Sequence, residues 1–203
     1  MPLPTPNLDA DELYRTMFDA WCAGEYAYAL ELSRDLLRQF PDYDIGWLLQ
    51  GVMLYELARY DEAEKTLRRA VRLIPDDSLD HGYFHLGHLC RERGDYENAE
   101  RNYRKALELA PDNAGRHIFL GAMLAKKGDF VAAEEVHRDG TRCSKGPIDE
   151  AYLNLGSVLR AQERYSEALR SFTKALELTP DYEEALVAKQ DMEKVLEYIA
   201  NEA

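Results

Sequence analysis

Three of the five histidines, His81, His85 and His88, fall within eight residues of one another. On a helix, spacings of four and three bring imidazoles onto one narrow arc, an arrangement able to chelate a metal. His81 and His88 would nevertheless stand about 10.5 Å apart along the axis, at roughly 1.5 Å per residue, so one ion does not reach all three. The places that would face them on neighbouring helices hold Ile45, Leu49, Ile118 and Phe119, none of which is a ligand. The histidines are read as polar contacts, and neither a metal nor a cofactor is expected.

The remaining reactive residue types point the same way. Cys22, Cys90 and Cys143 are widely separated and show no CxxC or Cys/His spacing, so they are expected to be reduced thiols. The carboxylate pairs Asp76-Asp77, Glu134-Glu135 and Glu183-Glu184 are expected at loop or outward helix positions, as solvated charge. There is no phosphate-cradling glycine loop, no GxSxG and no HExxH. No catalytic constellation is present, and an enzyme is not expected.

The bulk properties narrow the partners. The 203 residues are 46% hydrophobic and 31% charged, a balance that supports a packed core. Twenty-five basic against 38 acidic residues give a formal charge of -13, which repels phosphate backbones and anionic lipid heads. Nucleic acid and membrane are therefore excluded as expected partners. No apolar run approaches the roughly 20 residues that span a bilayer. Met1-Pro2-Leu3-Pro4-Thr5-Pro6 lacks the basic and apolar regions of a signal peptide, so a cytoplasmic protein is expected.

The elements that position side chains come from an internal repeat. Pro41, Pro75, Pro111 and Pro180 each close a stretch of helical character, and aligning backwards from them gives units at 10–43, 44–77, 80–113, 114–148 and 149–182. The eighth place holds Met17, Gly51, Gly87, Gly121 and Gly156, and the fourth holds Leu13, Trp47, Tyr83, His117 and Tyr152. The twentieth place is Ala29, Ala63, Ala99, Ala133 and Ala168 without exception. A small residue beside a large one is what two antiparallel helices need to approach closely. Gly24, Gly94 and Gly128 supply turns between the two helices of a unit, and Ala58 and Glu163 stand at the corresponding places of the other two.

This pattern resembles the tetratricopeptide-repeat family, with W-x2-L-G-x2-Y, then A-x3-F, then P. The likeness is strongest in Tyr83-x2-Leu86-Gly87 with Ala99-x3-Tyr103 and Pro111, and in Tyr152-x2-Leu155-Gly156 with Ala168-x3-Phe172 and Pro180. It implies an all-α, right-handed superhelical solenoid of five helix-turn-helix repeats. Residues 1–9 are expected to form a tail and 183–203 a capping helix whose apolar face carries Ala188, Met192, Val195 and Ile199. The first repeat departs from the pattern at Thr16-Met17 and at Ser33. The fourth departs at His137, at Gly140 where other units have Ala70, Ala106 and Ala175, and at Lys145 in place of proline. The second helix of the fourth repeat is therefore expected to be the weakest, because Gly costs about 1 kcal/mol in a helix interior relative to Ala.

The resemblance further implies a ligand groove lined by the first helix of each repeat, at its second, fifth, ninth and twelfth places. Repeat one contributes Tyr14, Phe18 and Trp21, and repeat two contributes Leu48, Val52 and Tyr55. Repeat three contributes Phe84, His88 and Arg91, repeat four Ile118 with Lys126, and repeat five Asn154 and Arg160. The clamp of Lys and Asn with which family members hold chaperone C-termini is missing, since Tyr14, Phe18 and Leu49 occupy its places. The expected function is that of an adaptor, scaffold or assembly factor whose aromatic end anchors an apolar or aromatic peptide of another protein, while the polar end orients it. Two other readings stand beside it. One is self-assembly into a homo-oligomer through repeat ends or the capping helix, and the other is a non-catalytic subunit of an enzyme complex.

Overall fold

The computed structural model describes residues 9–202, which form eleven α-helices and one short 3-10 helix, Asp76–Ser78. The tail expected over residues 1–9 lies outside them except for Asp9. The helices run 13 or 14 residues, except α8 with 11 and α11 with 20. In order they are α1 Ala10–Cys22, α2 Tyr26–Gln39, α3 Asp44–Glu56, α4 Tyr60–Leu73, α5 Leu79–Glu92 and α6 Tyr96–Leu109. Then follow α7 Ala114–Lys126, α8 Phe130–Gly140, α9 Ile148–Ala161, α10 Tyr165–Leu178 and α11 Glu183–Glu202. The chain divides into two compact units, one ending at Asn102 and the other beginning at Tyr103.

In the first unit, the Asp9 carboxylate accepts from the Glu12 amide at 2.8 Å and starts α1 by satisfying an orphan donor. Leu13, Met17 and Ala20 of α1 meet Ala29, Leu32 and Leu36 of α2 in one core cluster. Helix α3 touches α2, α4 and α5, and Gly46 and every residue from Leu48 to Leu54 are buried. At Gly51 an added Cβ would lie 2.5 Å from Leu67 Cδ2, so this glycine is the socket for a side chain of α4. Trp47 donates its indole N–H to the Pro41 carbonyl at 2.8 Å, with the Arg69 guanidinium 3.9 Å from its ring centre. Ser33, where an aromatic was expected, is fully buried and satisfied: its hydroxyl donates to Leu30 O and accepts from Gln50 Nε2 at 3.0 Å.

In the second unit, α7 pairs with α8, and α9 with α10, by the same socket. A Cβ on Gly156 would meet Phe172 Cε1 at 2.5 Å, and one on Gly121 would meet His137 Cε1 at 2.5 Å. The imidazole of His137 thus fills the place of a packing ring. His117 takes the part that Trp47 has in its own repeat: its Nε2 lies 2.9 Å from the Pro111 carbonyl, again six residues back, and donates because a carbonyl only accepts. Helix α8 is shorter than its counterparts, 11 residues against 14 in α10. Beyond it the chain bonds back to the loop before α7, with Ser144 N donating to Asp112 at 2.6 Å and Ala114 N to Lys145 O at 2.9 Å.

All five turns inside the helix pairs use a left-handed residue. Gly24, Gly94 and Gly128 have φ of 77°, 76° and 87°, and Ala58 and Glu163 adopt 56° and 61° despite their Cβ atoms. Helix α11 packs on α10 through Ala185, Ala188 and Met192. Ile199, expected on that face, is 47% exposed. The reason is length: 20 residues run about 30 Å and the 14 of α10 about 21 Å, so the last turns of α11 have nothing of α10 beneath them. No helix among the described residues is long and apolar enough to cross a membrane.

Candidate functional site

The residues expected to line a groove fall into separate groups. On α1, Tyr14, Phe18 and Trp21 form a ladder of rings, with centroids 6.0 Å apart for the first pair and 5.5 Å for the second. Helical spacings of four and three place them on one face, where Tyr14 and Trp21 are half-buried and Phe18 is exposed. Tyr43, which sequence reasoning did not single out, joins the ladder 5.9 Å from Tyr14 and reaches the Asp11 carboxylate at 3.4 Å. Burial, with Asp11 next in weight, raises the Tyr43 phenol above its ordinary range.

Tyr55, Phe84, His88 and Arg91 form the second group, also in the first unit. Phe84 and His88 meet edge to face at 4.4 Å, and Tyr55 lies 6.5 Å from His85. Burial first, and the carboxylate of Glu56 second, push the Tyr55 hydroxyl up to about 12. Arg91 pairs with Glu92 at 2.9 Å. His81 points elsewhere, its Nδ1 3.0 Å from Asp80, and shares with Ile45 and Leu48 a 280 Å³ apolar recess closed by Ile74 and Pro75. Among the described residues, no three His, Cys, Asp or Glu side chains converge as metal ligands.

Leu48, Val52 and Ile118 are buried. They sit at places whose helix face turns toward the neighbouring helices, so in this structure they back the lining and Val52 and Ile118 present almost no surface to a ligand. Lys126 is exposed at the end of α7.

Asn154 and Arg160 do come together, in a cleft of 650 Å³ between α9 and α11. Leu153, Ser157, Val187, Ala188 and Gln190 also line it, with Val187 61% exposed. Asn154 donates to the Glu150 carbonyl at 2.8 Å, and Arg160 lies 3.8 Å from Asp191. The contribution of α11 to this lining was missed, because its sequence shows which face is apolar and not what lies across from the polar one.

One carboxylate pair also differs from expectation. Glu134 is not a solvated charge: its side chain is 14% exposed and holds Arg138 at 2.5 Å, Arg164 at 2.6 Å and Gln162 at 3.0 Å. These hydrogen bonds keep its carboxyl below the usual range against the opposing effect of burial, and the site is a structural brace between α8 and the turn before α10.

A chain of paired antiparallel helices with a glycine socket in successive pairs is a helical-repeat protein. Three family models, each described as Tetratricopeptide repeat, match residues 42–112, 85–147 and 149–182. The chain belongs to the tetratricopeptide-repeat family. Among solved structures it is similar to YrrB, "a TPR protein with an unusual peptide-binding site", at 21% identity over 90% of this chain and 92% of that one, with a TM-score of 0.62. It is also similar to TTC0263, a thermophilic TPR protein of Thermus thermophilus, at 21% identity over 91% and 98%, with a TM-score of 0.65. A third likeness is to the APC/C hetero-tetramer Cut9-Hcn1, at 16% identity over 91% of this chain and 36% of that one, with a TM-score of 0.72. Among curated proteins none matches.

Proposed function

We propose that the chain is a non-catalytic interaction module that holds a segment of a partner protein against the first helices of its repeats. The observation that carries this reading is the ladder Tyr14, Phe18 and Trp21: three rings in successive contact, kept partly open to solvent on one helix face. Burying such rings against an apolar or aromatic peptide releases hydration water at little entropic cost, since aromatic side chains have few rotamers to lose. The peptide-binding site named for YrrB supports the reading by analogy of fold. His88 and Arg91, beside the ring of Phe84, would orient such a segment in the first unit by hydrogen bonds and charge, and Asn154 and Arg160 give the second unit polar contacts of its own. Cytoplasmic adaptor or scaffold work belongs to the same proposal.

The test is to select peptides from a displayed library on the full chain, then titrate them against Phe18→Ala and Trp21→Ala. Circular dichroism would first verify that both variants are folded. Each is expected to lose on the order of 2 kcal/mol of binding, as anchors do. Unchanged affinity in both variants removes the ladder from the site.

A second reading, self-association, is favoured by the last turns of α11, where Tyr198 and Ile199 are exposed near Leu196 and Val195. Light scattering across a concentration series separates the two, since a peptide module keeps one mass throughout.

A further inference from the structure

The cleft between α9 and α11 has ends of opposite charge. At the start of α11, Glu183 and Glu184 border it, with Asp149 and Glu150 of the first turn of α9 nearby. Burial first, and the charge of Asp149 second, raise the carboxyl of Glu150. At the other end stand Arg160 and Lys194 with Asp191, which leaves that end one net positive charge. Among the described residues, no ion pair within 4.0 Å engages Glu183, Glu184 or Lys194, and Arg160 has only the long contact with Asp191. Glu183, Glu184, Arg160 and Lys194 all line the cleft.

The separation sets the size of what fits. Glu184 and Lys194 are ten residues apart on one helix, about 15 Å at 1.5 Å per residue. A free amino acid carries its charges a few ångströms apart and does not bridge that span. An extended chain rises about 3.3 Å per residue, so four to five residues do. Leu153 and Ala188 add apolar surface to the lining, enough to meet one side chain.

We infer that this cleft reads charge order in the partner segment: a basic residue against Glu183 and Glu184, an apolar residue on Leu153, and an acidic residue against Arg160 and Lys194. The inference rests on the peptide-binding reading and adds to it the chemistry of the ligand. Opposed charges in a concave site both attract the matching segment and repel a segment charged alike at both ends.

Fluorescence anisotropy on the full chain tests it with four labelled, end-blocked hexapeptides. The first is Lys-Leu-Ser-Leu-Ser-Glu, and the others carry Lys at both ends, Glu at both ends, or Gln at both ends. The mixed peptide is expected to bind roughly fivefold more tightly than the rest, the size of a few partly exposed ion pairs. Lys194→Glu should turn the preference to the peptide with two Lys, and Glu183→Lys with Glu184→Lys should turn it to the one with two Glu. A preference that changes sign is not produced by a variant that has merely unfolded. Equal affinity of the four peptides for the wild-type chain, or a preference that the variants do not move, overturns charge reading and leaves peptide binding intact. Absence of binding by all four overturns the cleft as a site, while the Phe18 and Trp21 titrations judge the ladder separately.

Discussion

Two helix pairs of the second unit, α7 with α8 and α9 with α10, follow one plan with different parts. In α9–α10 the socket Gly156 receives Phe172, Ala175 is fully buried one turn on, and α10 runs 14 residues. In α7–α8 the socket Gly121 receives His137, Gly140 takes the alanine place, and the helix stops after 11. His137 is 1% exposed, and its Nδ1 has no hydrogen-bond partner among the described residues, as is also true of Nδ1 of His117. A phenyl ring leaves nothing unsatisfied in such a place; an imidazole leaves one ring nitrogen without a hydrogen bond. The architecture is kept by shape, and the difference appears in what each pair tolerates.

The largest expected difference is in acid. Burial, and secondarily the nearby His117, lower His137 from 6.5 to about 4. The unfolded chain therefore binds this proton more readily than the folded one, so the stability that comes from keeping the ring neutral is complete above pH 6.5 and disappears as the pH falls to 4. A shift of that size corresponds to about 3 kcal/mol. Urea titrations followed by circular dichroism from pH 7 to pH 4 should show this decline in the wild type and a shallower one in His137→Phe. Parallel curves would mean that the ring is wetter than its packing indicates.

A smaller effect is expected at Gly140. Helix propensity alone predicts that Gly140→Ala gains about 1 kcal/mol. The structure reverses the sign, because the new Cβ would come within 2.9 Å of His117 Cβ, a rigid part of a buried side chain. Overpacking of this kind costs about 1–3 kcal/mol. The variant is expected to melt below the wild type, and a higher melting temperature would show that α7 and α8 can move apart freely.

The smallest difference is in the turns, and here the ordinary pair is α7–α8. Gly128 holds φ 87° without strain, whereas Glu163 holds 61° with a Cβ. Glu163→Gly should stabilise by up to about 1 kcal/mol, after the added freedom of the unfolded chain is subtracted. Gly128→Ala should destabilise by a similar amount in the same melting assay.

The repeat was legible because its signals are local and periodic: Gly51, Gly121 and Gly156 recur at one place, and the side chains they admit, Leu67, His137 and Phe172, recur at another. The site was legible only in part. Tyr14, Phe18 and Trp21 meet because helical spacing alone brings them together. Val52 and Ile118 share the same spacing and are buried, Val52 in a helix packed against α2, α4 and α5 and Ile118 in a cluster with Ala151 of α9. Glu134 looked like surface charge because its partner Arg164 is thirty residues away. The role of His117 was hidden for a different reason: an imidazole reaches the Pro111 carbonyl as the indole of Trp47 reaches Pro41, an equivalence of geometry that residue type does not announce.

Trp47 has one more consequence. Trp21 and Trp47 are the two tryptophans of the chain, and both belong to the first unit. With its N–H bonded to Pro41 and Arg69 against its ring, Trp47 sits in a fixed environment that is lost when α3 and α4 separate. Emission excited selectively from indole is therefore a spectroscopic gauge of the N-terminal half alone, while the far-ultraviolet ellipticity sums over both halves. Where the two signals change at different denaturant concentrations, the halves unfold in separate steps; where they coincide, the chain melts as one cooperative body.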